Sequence, residues 1–189
     1  MPEGTAGARI VTVTALEMLE PSWLSPGRAP DEPVQLTRTT HDAAATSRDC
    51  YRVVGGPWWW VDRLAWSDAQ WQEWVDQPGH ELWTLSVADH EHDDHGAGTL
   101  AGYYELVPDG DGDVLLAYFG LVPGHEGRGL GGFLLTAALR RAWELPATSR
   151  VWVHTCELDG PAALPNYLAR GLRVFRTWTE HRMVPPSPG

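Results

Sequence analysis

The stretch from Leu116 to Leu135, LAYFGLVPGHEGRGLGGFLL, constrains this chain more than any other. An apolar, strand-like run enters a glycine-rich turn, and the turn opens an apolar helix. Gly127, Gly129, Gly131 and Gly132 crowd that turn. Glycine lets a backbone bend sharply and lets a ligand approach it closely. The first turn of a helix presents amide N–H groups with no internal partner. Together these features form an anion site suited to a phosphate or pyrophosphate. The plainer alternative is a tight strand-to-helix turn with no ligand.

The elements around the turn narrow its owner. Ile10 to Leu16 is rich in β-branched residues and reads as a first strand, and Val34 to Thr37 as a short added one. Residues 41–54 read as a helix stopped by Gly55 and Gly56. Ser67 and Gln70 have the spacing of a capping box for a second helix, whose stripe is Trp71, Trp74 and Val75. Strands follow at Glu81 to Ala88, Thr99 to Val107 and Val114 to Val122, with Asp-Gly turns before the last. A helix from Gly129 to about Leu145 separates this strand from Val151 to Thr155, so the two strands are expected to be parallel. A short helix over Pro161 to Arg170 and closing strands at Leu172 to Val174 and Trp178 to Met183 complete an α+β, or mixed α/β, domain. Residues 1–8 and 185–189 read as flexible ends around a single domain over 9–184.

Gly127, Gly129 and Gly132 also satisfy G-x-G-x-x-G, the dinucleotide fingerprint. That fold begins with the fingerprint and needs several further β-α units. Here a meander precedes the turn and only 57 residues follow Gly132. No Gly-Lys-Ser/Thr ending is present, which disfavours a nucleoside triphosphatase loop.

A formal charge of −11 argues against nucleic acid and against an anionic membrane surface as partners. Cys50 and Cys156 do not make a disulfide framework. No secretory signal or membrane-length apolar run is visible, so the expectation is a cytoplasmic protein. The DHEHDDH segment carries His90, His92 and His95, yet it reads as a solvated loop, and no metal is expected. A homodimer is left open by the strands.

The glycine turn resembles the coenzyme site of the GNAT superfamily of N-acetyltransferases, which carries Gln/Arg-x-x-Gly-x-Gly/Ala after a central strand. Gly129 and Gly131 hold the glycine positions, and Glu126 stands at the first. Downstream, Tyr167 and Gly171 match the tyrosine and glycine of a second family pattern, with Leu172 in the aromatic position and Gly160 in place of asparagine. The resemblance covers nearly the whole chain. It implies a central mixed sheet flanked by helices, with acetyl-CoA lying between two splayed parallel strands.

By that resemblance the cofactor-binding residues are the backbone of Phe119, Leu121 and Val122 for pantetheine, and Gly127, Arg128, Gly129, Leu130, Gly131 and Gly132 for pyrophosphate. Arg128 adds a charge-assisted donor. Tyr167 is the family-matched proton donor for the departing thiolate. Glu105 and His154 are both candidates for the base that takes the amine proton. Trp59 and Trp60, with Tyr103, Tyr104 and Tyr118, are candidates for the acceptor pocket. Asp62 and Arg63 read as a local ion pair or as part of its rim. The implied reaction is direct acetyl transfer to a primary amine of a small molecule. Transfer to a peptide terminus and a non-catalytic acyl-CoA sensor are the alternatives.

Overall fold

A computed structural model describes residues 7–88 and 98–184. The seven strands are β1 (Gly7–Met18), β2 (Val34–Thr39), β3 (Glu81–Val87), β4 (Thr99–Pro108), β5 (Asp113–Leu121), β6 (Arg150–Cys156) and β7 (Arg173–Val184). Four helices join them: α1 (Ala43–Gly55), α2 (Asp68–Val75), α3 (Leu130–Glu144) and α4 (Ala163–Ala169). One sheet holds all the strands in the order β2-β3-β4-β5-β6-β1-β7. Its ladders are antiparallel except for β5 and β6, which run parallel because α3 carries the chain back between them. The architecture is the expected mixed sheet flanked by helices.

Helices cover both faces. Tyr104 is buried in the cluster formed with Leu130, Leu134 and Leu139 of α3, while Tyr103 is buried with Cys50 and Val54 of α1. Consecutive strand residues point to opposite faces, so α1 and α3 lie on opposite sides of β4. Each fully buried leucine of α3 contributes about 1.5–3 kcal/mol. On α2 the Ser67 and Gln70 capping box forms as the spacing predicts, a feature worth about 1 kcal/mol.

Two sequence expectations change. Gly7 and Ala8 pair with Val184 and Met183 at the β1–β7 ladder, so they belong to a strand rather than a frayed end. Two closing strands were expected, but β7 is one strand because β1 pairs along its full length; a register shift at Ala15/Leu16 absorbs the irregularity near Phe175. Between α1 and α2 the chain makes a 3-10 turn over Gly56–Trp58 and places Trp59 at φ +61°. The expected solvated loop with His90, His92 and His95, residues 1–6 and the 185–189 tail lie outside the described residues.

Candidate active site

The parallel pair positions the site. β5 and β6 are in register only at Asp113↔Arg150, Val114↔Val151 and Leu115↔Trp152. Both strands continue beyond that point without pairing with each other, β5 staying on β4 and β6 on β1, so the sheet splits into a V. Arg150 pins the closed end, donating from Nη1 to Asp113 Oδ2 at 2.6 Å and from Nε to Glu17 Oε2 at 2.8 Å. A second irregularity lies beside the split. Glu105 pairs with Tyr118 but Leu106 with Leu116, which leaves Ala117 as the extra residue of a bulge.

A cavity of about 390 Å³ opens in the V. Phe119 and Leu121 of β5, His154 of β6, and Asn166 and Tyr167 of α4 line it. Tyr167 is buried, and its ring lies 5.9 Å from that of Phe119. Burial, with the Asp159 charge adding to it, raises the Tyr167 phenol well above its ordinary pKa, so its proton is held at any ordinary pH. His154 is open to the cavity. Crowding by the surrounding protein lowers its pKa, and the Arg182 cation lowers it further, so the imidazole is neutral at pH 7. Asp159 accepts from Trp60 Nε1 at 3.1 Å, Thr155 Oγ1 at 2.6 Å and the Cys156 amide at 2.9 Å. Cys156 also lines the cavity, and burial raises its thiol pKa, which keeps it protonated and a weak nucleophile.

The glycine turn forms the mouth. Gly127 and Gly129 adopt φ of +77° and +79°, a region that disfavours side chains. Gly129 caps α3, and the first helical bond runs from the Phe133 amide to Gly129 O at 3.3 Å. Among the described residues, no protein acceptor meets the N–H groups of 127–132. A Cβ at Gly127 or Gly129 would meet no atom within 4 Å, so the space above the turn is open. Donors in an open cradle at a helix start fit a diphosphate. Gly131 lines the cavity, and its carbonyl accepts from Asn166 Nδ2 at 3.2 Å, which ties α4 to the cradle. Leu130 is fully buried and anchors the helix start in the core.

Other expected site residues lie differently. Arg128 is engaged with Glu32, donating from Nε to Oε1 at 2.8 Å, with a second contact between Nη2 and Oε2. Glu126 lines the cavity and accepts the Gly124 amide of its own loop at 2.7 Å. Val122 lies off the cavity, and its N–H is already used by Ala101 O at 2.9 Å. Glu105 sits behind the cavity wall. It is fully buried and accepts from Ser47 Oγ at 2.7 Å and Trp74 Nε1 at 2.6 Å, with His80 Nε2 at 2.8 Å.

Of the aromatic candidates, Trp60 and Tyr118 line the cavity. Trp59 lines an adjoining hollow of about 420 Å³ that shares Asp62 and Arg182 with the first. Tyr104 stacks on Trp83 on the α3 face, and Tyr103 is buried under α1. Both belong to packing because β4 is covered on both sides. Sequence reasoning missed Asn166, Asp159 and Arg182, all on the cavity wall. Asn166 had a readable signal, since it directly precedes Tyr167.

The family model described as the acetyltransferase (GNAT) family matches residues 42–172, from the start of α1 through α4. The chain belongs to the acetyltransferase (GNAT) family. Two mycothiol acetyltransferases are similar in part. That of Kineococcus radiotolerans is 47% identical over 72 residues, which is 37% of this chain and 23% of that protein. That of Nocardia farcinica is 36% identical over 98 residues, 52% of this chain and 29% of that protein. The matched region thus spans less than a third of either relative. Among solved structures, a GCN5-related N-acetyltransferase from Sphaerobacter thermophilus shares the fold, with a TM-score of 0.64 at 13% identity, over 96% of this chain and 54% of that one. Among the described residues, no helix is long and apolar enough to cross a membrane.

Proposed function

We propose that this chain is an acetyl-CoA-dependent N-acetyltransferase acting on the primary amine of a small molecule. The observation that carries the reading is the split between β5 and β6 past Leu115, with unpartnered amides of the glycine turn at its mouth. Family membership supports acetyl-CoA as the group that occupies the split, and the cradle fits its diphosphate. A cavity of about 390 Å³ suits a small ligand. The relatives' names make a mycothiol-type acceptor one member of the proposed class.

The chain's residues then divide the work. Amides of 127–132 hold the diphosphate, and the unpaired edge of β5 at Phe119 and Leu121 holds the arm beyond it. Acetyl-CoA supplies an acetyl group activated as a thioester. His154, neutral at pH 7, accepts the proton of the acceptor amine, directly or through one water. Tyr167 keeps its hydroxyl proton and donates it toward the thiolate sulfur. Glu105 positions rather than reacts, because its oxygens are occupied by Ser47, Trp74 and His80.

Calorimetric titration with coenzyme A, followed by thiol release from acetyl-CoA over a panel of small amines, tests the reading. Binding with amine-dependent release is expected. Binding without release across the panel favours a sensor, and absence of binding overturns both.

A further inference from the structure

Arg63 is a cavity cation that the proposed chemistry does not use. Arg63 lines the wall on the α1–α2 side, and its guanidinium carbon lies 3.8 Å from the ring centre of Trp74, 4.1 Å from Trp66 and 4.8 Å from Tyr118. Three rings hold the group by cation–π attraction. Yet among the described residues no carboxylate forms a salt bridge with Arg63, and its Nη1 is buried with no hydrogen-bond partner. In a chain of net charge −11 that is a marked omission. A buried charged donor left unpaired is costly, so an anion that meets it is favoured.

The surroundings keep this cation available. Glu105, the buried acid on β4, is consumed by Ser47, Trp74 and His80. Its grip on the Trp74 indole N–H also fixes the ring on which Arg63 rests. Arg182, the other cavity arginine, is paired with Glu180 at 2.5 Å. Among the described residues, Asp62 accepts a single hydrogen bond, 3.4 Å from Tyr51. Burial raises the Tyr118 phenol, Arg63 opposes that shift, and Glu105 and Asp62 add to it, so all three charges are felt at one ring. Two acids beside one arginine favour a monoanion over a dianion. The planar fork of arginine matches a carboxylate.

The geometry points to Arg63 as the specificity residue for an acceptor that carries a carboxylate as well as its amine, an amino acid or a compound built like one. This rests on the acetyltransferase reading, because it names the acceptor class of that cavity. The adjoining hollow beyond Asp62 and Arg182, lined by Trp59, Leu158 and Met183, gives such an acceptor room for a larger substituent.

The test compares α- and ω-amino acids with their carboxamides, by thiol release and by quenching of tryptophan fluorescence in protein without coenzyme. Wild-type protein should bind and use the acids better than the carboxamides. Arg63→Gln should raise KM for the acids by about tenfold to a hundredfold, as expected on losing a charged hydrogen bond. It should leave KM for the carboxamides and for acetyl-CoA unchanged, and Arg63→Lys should recover part of the loss. Equal use of acids and carboxamides by wild type, or an equal loss on both in Arg63→Gln, overturns the assignment. The wild-type comparison stands even if the variant does not fold. Carboxylate-selective quenching without thiol release keeps the clamp and overturns the transferase reading; release with carboxamides as readily as acids overturns the clamp alone.

Discussion

Replacing Gly131 with alanine should raise stability and lower coenzyme affinity, opposite signs from one methyl group. Gly131 is the second residue of α3 and lies on the cavity wall. A Cβ there would sit 3.7 Å from Leu121 Cδ1 and 3.8 Å from Asn166 Nδ2, ordinary contact distances. Its φ is not in the left-handed region, so alanine fits without strain. Exchanging glycine for alanine in a helix gains about 0.5–1 kcal/mol, less at its first turn. For a domain of this size that is roughly 1–4 °C in Tm. Under the proposed function, the same methyl would stand where the cradle amides meet the diphosphate. Losing one charge-assisted bond there costs about 1.5–3 kcal/mol, or roughly tenfold to a hundredfold in Kd. Thermal denaturation and calorimetry with coenzyme A read the two effects separately. A raised Tm with unchanged Kd would refute the placement of the diphosphate at this turn. A lowered Tm would refute the packing argument.

Further outcomes follow from the same site. Tyr167→Phe should lower kcat by about a hundredfold while leaving the coenzyme Kd unchanged, as steady-state kinetics and calorimetry would show. Because His154 titrates below its ordinary 6.5, kcat/KM should fall only as pH drops through that lowered value. Arg182→Leu removes a charge that depresses it, so the acid limb of the pH profile should move upward, whereas Arg182→Lys should not move it. Gly171→Ala meets both a φ of +98° and the Trp23 carbonyl at 1.9 Å. Urea denaturation should show a loss on the order of 3–4 kcal/mol.

The elements that sequence reading placed best are those fixed by local chemistry. The Ser67–Gln70 box and the glycine turn are set by residues close in the chain, and both stand where expected. The misplacements came from non-local facts. Tyr103, Tyr104 and Glu105 follow one another on β4, and alternation cannot tell a pocket face from a second packed face. Arg128 was free to reach a phosphate until Glu32, 96 residues away, was placed beside it. The Arg63 cage gathers Trp66, Trp74 and Tyr118 from a loop, a helix and a strand, and no spacing pattern announces it. The splitting of β5 from β6 is likewise a property of two strands together.

That splitting makes the sheet a lever. The pivot is the Leu115↔Trp152 pair, held by Arg150 across Asp113 and Glu17. From Leu115 to Leu121 β5 runs about 20 Å at 3.3 Å per residue, separated from β6 but still paired with β4. Each degree of rotation at the pivot therefore moves its far end by about 0.35 Å, on that same arm length. Arg150, Asp113 and Glu17 do not line the cavity, so a substitution there would act on the cleft through the angle between β5 and β6 rather than through contact with a ligand.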